Sequence, residues 1–215
     1  MIKKLSEIER MLMLSVAFTL LLTGIRFLFT GEEVYLFYPW NLLLAAIPLL
    51  LSRQLIKFKK INLKVLLLLA FWLLFLPNAP YIVTDLFHFE ERSSAPYWFD
   101  LLIVTSGAWN GLALGFISLM QAERFFSRHI KMEWRIPAII ALLLLCSYGI
   151  YLGRFLRYNS WDVFIKPDEI LHSTITNIIH PFQYLQFWGF IFSFAVLLCL
   201  MYFTIKKLPG MVRAA

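Results

Sequence analysis

Charge is scarce in this chain of 215 residues: Asp, Glu, Lys and Arg make up only 15% of it, against about 25% in an average soluble domain. So few charges could not keep such a chain in water, because 60% of its residues are hydrophobic and its mean hydropathy is +0.73. Cysteine is nearly missing too. Cys146 and Cys199 both sit deep in apolar runs, which excludes a disulfide framework and reads both thiols as small buried apolar groups. No ten-residue segments of alternating polarity occur, so a closed β-barrel is excluded. Between the apolar runs too little chain remains for a soluble domain, and residues 1–215 read as a single integral membrane domain.

What is present is length of apolar chain. A helix rises about 1.5 Å per residue, so about 20 apolar residues cross about 30 Å of hydrocarbon. Six runs approach that length, at about 11–30, 34–52, 62–77, 99–121, 136–154 and 182–205. They predict an all-α polytopic membrane bundle of six transmembrane helices. The first has a basic flank but continues through Gly24, Arg26 and Phe27 with no small-x-small cleavage site, which predicts an uncleaved helix.

The charges orient these spans. Lys3, Lys4 and Arg10 precede the first; Arg53, Lys57, Lys59, Lys60 and Lys64 lie between the second and third; Arg124, Arg128, Lys131 and Arg135 lie between the fourth and fifth; Lys206, Lys207 and Arg213 follow the last. Fifteen of the twenty basic residues thus fall on one side, with only four of the thirteen acids. The positive-inside rule makes that side cytoplasmic and puts both termini there. The net charge of +7 is therefore a membrane-orientation signal. It gives no support to nucleic-acid binding, since no reading motif is interleaved with the cations.

Polar chemistry gathers in two outer segments, about 78–98 and 155–181. In the second, Pro167, Asp168 and Glu169 give a helix start and Pro181 a stop. Between them Ile170, Leu171, Ile175, Ile178 and Ile179 recur near helical spacing, with His172, Thr176 and Asn177 elsewhere on the wheel. This predicts a short helix in the outer interface that roofs the bundle.

In the fourth span Gly107, Gly111 and Gly115 repeat every four residues, a flat stripe on which a neighbouring helix, within the chain or in a dimer, can pack closely. Asn110, beside the stripe near mid-membrane, needs an amide partner, and Asn41 of the second span is the expected one.

Two segments break the pattern. In FLPNAPYIVTDLFHF, residues 75–89, Pro77 and Pro80 end the third span early. A second short helix is expected to follow. Tyr81, Asp85 and His88, spaced four and three apart, would share one of its faces, with Asn78 at the break. In YLGRFLRYNSWD, residues 151–162, Arg154 and Arg157 sit on the outer side against the charge trend. They either favour a helix C-terminus and snorkel to headgroups, or pair with Asp85 and grip an anion. Asn159, Trp161 and Asp162 follow in a fraying loop, a common place for binding groups. The two segments are expected to meet and neutralise one another.

Asp85, His88, His172 and His180 are metal-capable, but no tight spacing binds them together, so no metal and no cofactor are expected. Nor is there a Gly-x-Ser-x-Gly elbow. Three functions fit. The leading one is a binding or structural module that holds an anionic lipid headgroup or a membrane-protein partner through Arg154 and Arg157, with Asp85 and His88 setting the geometry. The alternative is an enzyme using Asp85 and His88 as acid and base on a lipid substrate. Third is a transporter, since Pro39, Pro48 and Pro77 permit broken helices.

LPNAPYIVTDLFH, the Trp109–Gly111 stretch and GRFLRYNSWD together resemble the bacterial integral membrane proteins of domain-of-unknown-function family 1361, from the second span to the sixth. The resemblance implies a polytopic bacterial membrane protein and brings no activity with it; together with the charge bias it predicts a multi-pass protein of the bacterial cytoplasmic membrane, with the candidate site on the extracytoplasmic side. The expected partners are the bilayer, an anionic lipid or membrane protein, and a second copy through the Gly107, Gly111 and Gly115 face.

Overall fold

Proline sets where the third helix stops, and the rest of the fold's outer end follows from that. The computed structural model describes residues 7–90, 92 and 94–214, with the side chains of all but 209–214. Lys3, Lys4 and Glu91, and the side chain of Arg213, lie outside the described residues. Nine α-helices are described: α1 (Glu7–Thr30), α2 (Tyr38–Leu55), α3 (Leu63–Phe75), α4 (Asn78–Tyr81), α5 (Tyr97–Phe126), α6 (Met132–Phe155), α7 (Asp162–Ile165), α8 (Pro167–Ile179) and α9 (Leu185–Ala214), with a 3₁₀ helix, Ile82–His88, after α4. No strand occurs among the described residues.

Five helical stretches are long and apolar enough to cross a membrane: Glu7–Thr30, Leu63–His88, Tyr97–Phe126, Met132–Phe155 and Leu185–Leu208. The chain is thus an all-helical, multi-pass membrane protein by length and composition. The 18-residue α2, expected as the second of six spans, is not among the five. Pro39, Asn41, Pro48, Arg53 and Gln54 dilute its apolar content. It is nevertheless a core element: Tyr38, Leu42, Ala45, Leu49 and Ser52, spaced three and four apart, are all buried.

Contacts divide the chain into two units, Met1–Phe125 and Phe126–Ala215. In the first, α1 ends on Gly31, whose φ of 69° supplies the left-handed turn that L side chains resist. Its N–H closes back on the Phe27 carbonyl at 2.8 Å. The start of α3 is capped by Asn62, which accepts from the Val65 N–H at 2.9 Å. After Phe75 the helix stops, as Pro77 and Pro80 require, and Asn78 donates to the freed Phe75 carbonyl at 3.0 Å.

The chain continues not as an ordinary α-helix but as one α-turn followed by a 3₁₀ helix. At three residues per turn, Ile82, Asp85 and His88 line up, and the tighter pitch takes Tyr81 off the edge it would have shared at 3.6 residues per turn. Ile82 and Asp85 are buried, whereas His88, at the end, is exposed.

The glycine stripe is the seat for this segment. A Cβ on Gly111 would overlap the Ala79 carbonyl oxygen and meet the Ile82 Cβ at 3.0 Å, and one on Gly107 would overlap the Tyr38 ring. The stripe therefore packs within the chain; a dimer through the same face would have to displace Tyr38 and Ala79. Further along, Trp72 Nε1 donates to Ser118 Oγ (2.8 Å), Ser118 to Ser52 Oγ (3.2 Å) and Ser52 to Gln121 Oε1 (2.9 Å), tying α3, α5 and α2 together.

In the second unit α6 packs along α9. Tyr151 meets Phe187 edge-on at 4.8 Å and Phe155 meets Phe190 at 5.0 Å between ring centres, an arrangement favoured by the ring quadrupole. The short α8 starts at Pro167 and stops one residue before His180 and two before Pro181, as the sequence signals indicate.

Candidate functional site

The proline-broken segment delivers Asp85 to a buried position, 2% exposed, where the Asn41 amide donates to its Oδ2 at 3.2 Å. Asn41 was expected to meet Asn110; its partner is instead Asp85, within the same unit. The reason is rotational. Asn110 is one residue, about 100°, away from Gly111, so while Gly111 faces Ala79, Asn110 is turned toward α1. There it donates to the Ser15 carbonyl at 3.0 Å and to Thr19 Oγ1 at 2.8 Å. Thr19 in turn donates to Ser106 Oγ at 2.9 Å. The Asn110 Oδ1 is buried without a hydrogen-bond partner.

His88 is exposed, with its ring 5.7 Å from that of Phe37. Tyr81 is half-buried, and its carbonyl accepts from Thr84 at 2.7 Å. Asn78, expected as a binding group, serves as the cap of α3.

A second polar cluster was not anticipated. Arg26 lies in α1 and is 2% exposed, yet every arm of its guanidinium is engaged. Nε donates to Asp100 Oδ1 at 2.8 Å; Nη1 donates to Thr30; Nη2 donates to Glu32 Oε2 and Ser94 Oγ, both at 3.0 Å. Asp100, equally buried, stands in the first turn of α5, where a carboxylate is favoured by the helix dipole. Ser94 Oγ donates in turn to Glu32 Oε2 at 2.8 Å. Burial holds the nearby Tyr35 phenol above its usual range, with the Asp100 charge adding to the rise. The cluster clamps the end of α1, the Gly31–Phe37 turn, the approach to α5 and α5 itself. The signal available in the sequence was a cation inside an apolar run, which is costly unless it finds partners.

Hydrogen bonds from Ser94 and then Arg26 hold the Glu32 carboxyl below its usual 4.5. A depressed carboxylate stabilises the fold above its unfolded value and loses that contribution as pH falls through the folded one. Protection of the residue 31–36 amides, taken relative to their intrinsic exchange at each pH, is therefore expected to fall on acidification below the ordinary carboxylate range, and to be low in Glu32→Gln at all pH values.

In the second unit, α6 ends on Arg157, whose φ of 60° is the left-handed conformation. Tyr158 N–H then closes on the Leu152 carbonyl at 3.1 Å. Glycine is the usual residue at such a turn, because a side chain there costs roughly 1–2 kcal/mol. Arg157 is exposed and makes no ion pair among the described residues, and Arg154, one turn earlier, is half-buried. Asn159 and Asp162 satisfy each other: the Asn159 N–H donates to Asp162 Oδ2 at 2.6 Å, and the Asp162 N–H to the Asn159 carbonyl at 3.0 Å. This rigid turn holds Trp161 at the surface, 36% exposed. Among the described residues no group of three or more His, Cys, Asp or Glu is placed to hold a metal ion.

A family model described as a protein of unknown function (DUF1361) matches residues 40–201. That range takes in both Asp85 and the Arg154–Asp162 turn but begins after Arg26. No curated protein and no solved structure matches the chain.

Proposed function

The chain belongs to the DUF1361 family of proteins of unknown function, and we propose that it is a binding module of the bacterial cytoplasmic membrane that holds an anionic lipid headgroup at the Arg154–Asp162 turn. In this reading α2 also spans, as the second of six spans, the basic 53–64 and 124–135 connections are cytoplasmic, and both termini lie inside, as the charge bias supports. The carrying observation is Arg157: a cation is kept at a backbone position where glycine is easier. It stands one turn from Arg154, beside a turn already fixed by Asn159 and Asp162. Strain of this kind persists where the surrounding structure imposes it, and often at ligand clamps. Two guanidinium groups near the end of a membrane helix suit a phosphate, whose oxygens accept their forked N–H groups.

The enzyme alternative asks for Asp85 and His88 at one accessible surface, whereas Asp85 is buried on Asn41 and His88 exposed. Transport through the first unit is opposed by an apolar layer of Leu42, Ala45, Leu49, Val104 and Leu114, all buried in its core.

Native mass spectrometry tests the reading. Wild-type protein released from its own membrane is expected to retain an anionic phospholipid, and Arg154→Gln/Arg157→Gln to retain at least tenfold less. Equal retention by the two would refute the assignment.

A further inference from the structure

The helix α8 is inside out for a helix in water. At about 100° per residue its wheel has three sectors. Ile170, Ser173, Thr174 and Asn177 are turned inward; Asn177 is the one described residue of α8 that is buried. The Thr174 hydroxyl bonds the Tyr148 hydroxyl of α6, and Trp188 Nε1 of α9 donates to the Asn177 carbonyl at 3.2 Å. Next around the wheel come Leu171, Ile175, Ile178 and Ile179, between 44% and 63% exposed, with the exposed Asp168 of the first turn at the start of the same sector. The third sector carries Glu169, His172 and Thr176. The helix thus turns Ser173, Thr174 and Asn177 to the protein and Leu171, Ile175, Ile178 and Ile179 away from it, and such an aliphatic edge is stable only where the surroundings it meets are apolar.

Its height agrees. Tyr148 lies seven residues before the end of α6 at Phe155, about 10 Å down the helix at 1.5 Å per residue. With 24 residues, α6 is about 36 Å long and overhangs a hydrocarbon layer of about 30 Å by only about 3 Å at each end. Tyr148 is therefore about 7 Å inside the hydrocarbon boundary by the same measure, and its side chain, leaning toward the helix N-terminus, reaches no higher. The 13 residues of α8 make about 20 Å, too short to span.

We infer that α8 is inserted in the leaflet at the Phe155 end of α6, its Leu171, Ile175, Ile178 and Ile179 edge against acyl chains and its Glu169, His172 and Thr176 edge toward the headgroups. It is a lipid-contact surface, continuous with the lipid-facing sides of α6 and α9, and not a roof above the bundle. The inference stands whether or not Arg154 and Arg157 hold a headgroup.

The test uses the unaltered protein in phospholipid vesicles. A phospholipid with a photoactivated diazirine at mid-chain is expected to label Leu171, Ile175 and Ile178 as strongly as the exposed Ile140 of α6, and His172 at least fivefold less. A water-soluble diazirine is expected to give the reverse. Labelling of Leu171–Ile179 by the aqueous reagent alone would restore the roof and overturn the inference; labelling by neither would mean that protein covers this edge, and would overturn it equally.

Discussion

Arg26→Met is expected to destabilise the protein by roughly 3–5 kcal/mol, the usual cost of deleting one partner of a buried ion pair. Methionine fills much of the space left by the aliphatic stem, so the loss comes chiefly from charge. Asp100 would remain 1% exposed with its strongest donor gone, helped by the Tyr35 hydroxyl and by the first turn of α5, the latter a contribution of about 1 kcal/mol at most. Arg26→Lys is expected to fall nearly as far, because an ammonium has three donors on one atom and cannot reach Asp100, Thr30, Glu32 and Ser94 from one place. Arg26→Met/Asp100→Leu, which removes both charges, is expected to recover most of the loss. Thermal unfolding in detergent, read as a double-mutant cycle, checks this; an additive pair would mean that the two groups are not coupled.

Gly111→Ala is expected to be more damaging than alanine at Gly115 or Gly189. The added methyl would overlap a backbone carbonyl, that of Ala79, which cannot swing aside as a side-chain end can. Relief requires α5 to move from the Asn78–Ile82 segment, at a cost at or above the roughly 1–3 kcal/mol of ordinary overpacking. Gly115→Ala meets the Ala79 Cβ at 3.1 Å and Pro80 Cδ at 3.4 Å and should cost less. Gly189→Ala meets nothing within 4 Å and is expected to gain up to about 1 kcal/mol from helix propensity. Unfolding midpoints in the order Gly189→Ala, wild type, Gly115→Ala, Gly111→Ala are the expected result.

These two sites show where a sequence can and cannot be read. Gly107, Gly111 and Gly115 announce a packing face because small residues four apart have one geometric meaning on a helix. Pro77, Pro167 and Pro181 mark element ends because each lacks an N–H and fixes its own φ, whereas Pro80 lies inside the single turn of α4. What covers the glycine face was not legible, since that depends on how α2 and the Asn78–Ile82 segment are rotated about α5. The same rotation separates Asn41 from Asn110. The pairing of Arg26 with Asp100 joins positions far apart in the chain, and neither residue carries a local motif. The 3₁₀ pitch of Ile82–His88 is likewise a tertiary outcome: its residues have no strong preference between the two helices, and docking of Ala79 and Ile82 on Gly111 decides it.

The reading of the second unit turns on why Arg157 occupies a left-handed turn. Arg157→Gly separates the two explanations in one protein, because it removes the cation while easing the backbone. If the guanidinium is there for an anionic headgroup, the variant should unfold at the wild-type temperature or higher, yet lose its bound anionic phospholipid by native mass spectrometry. A lower unfolding temperature with the lipid still bound would show that Arg157 merely braces the end of α6.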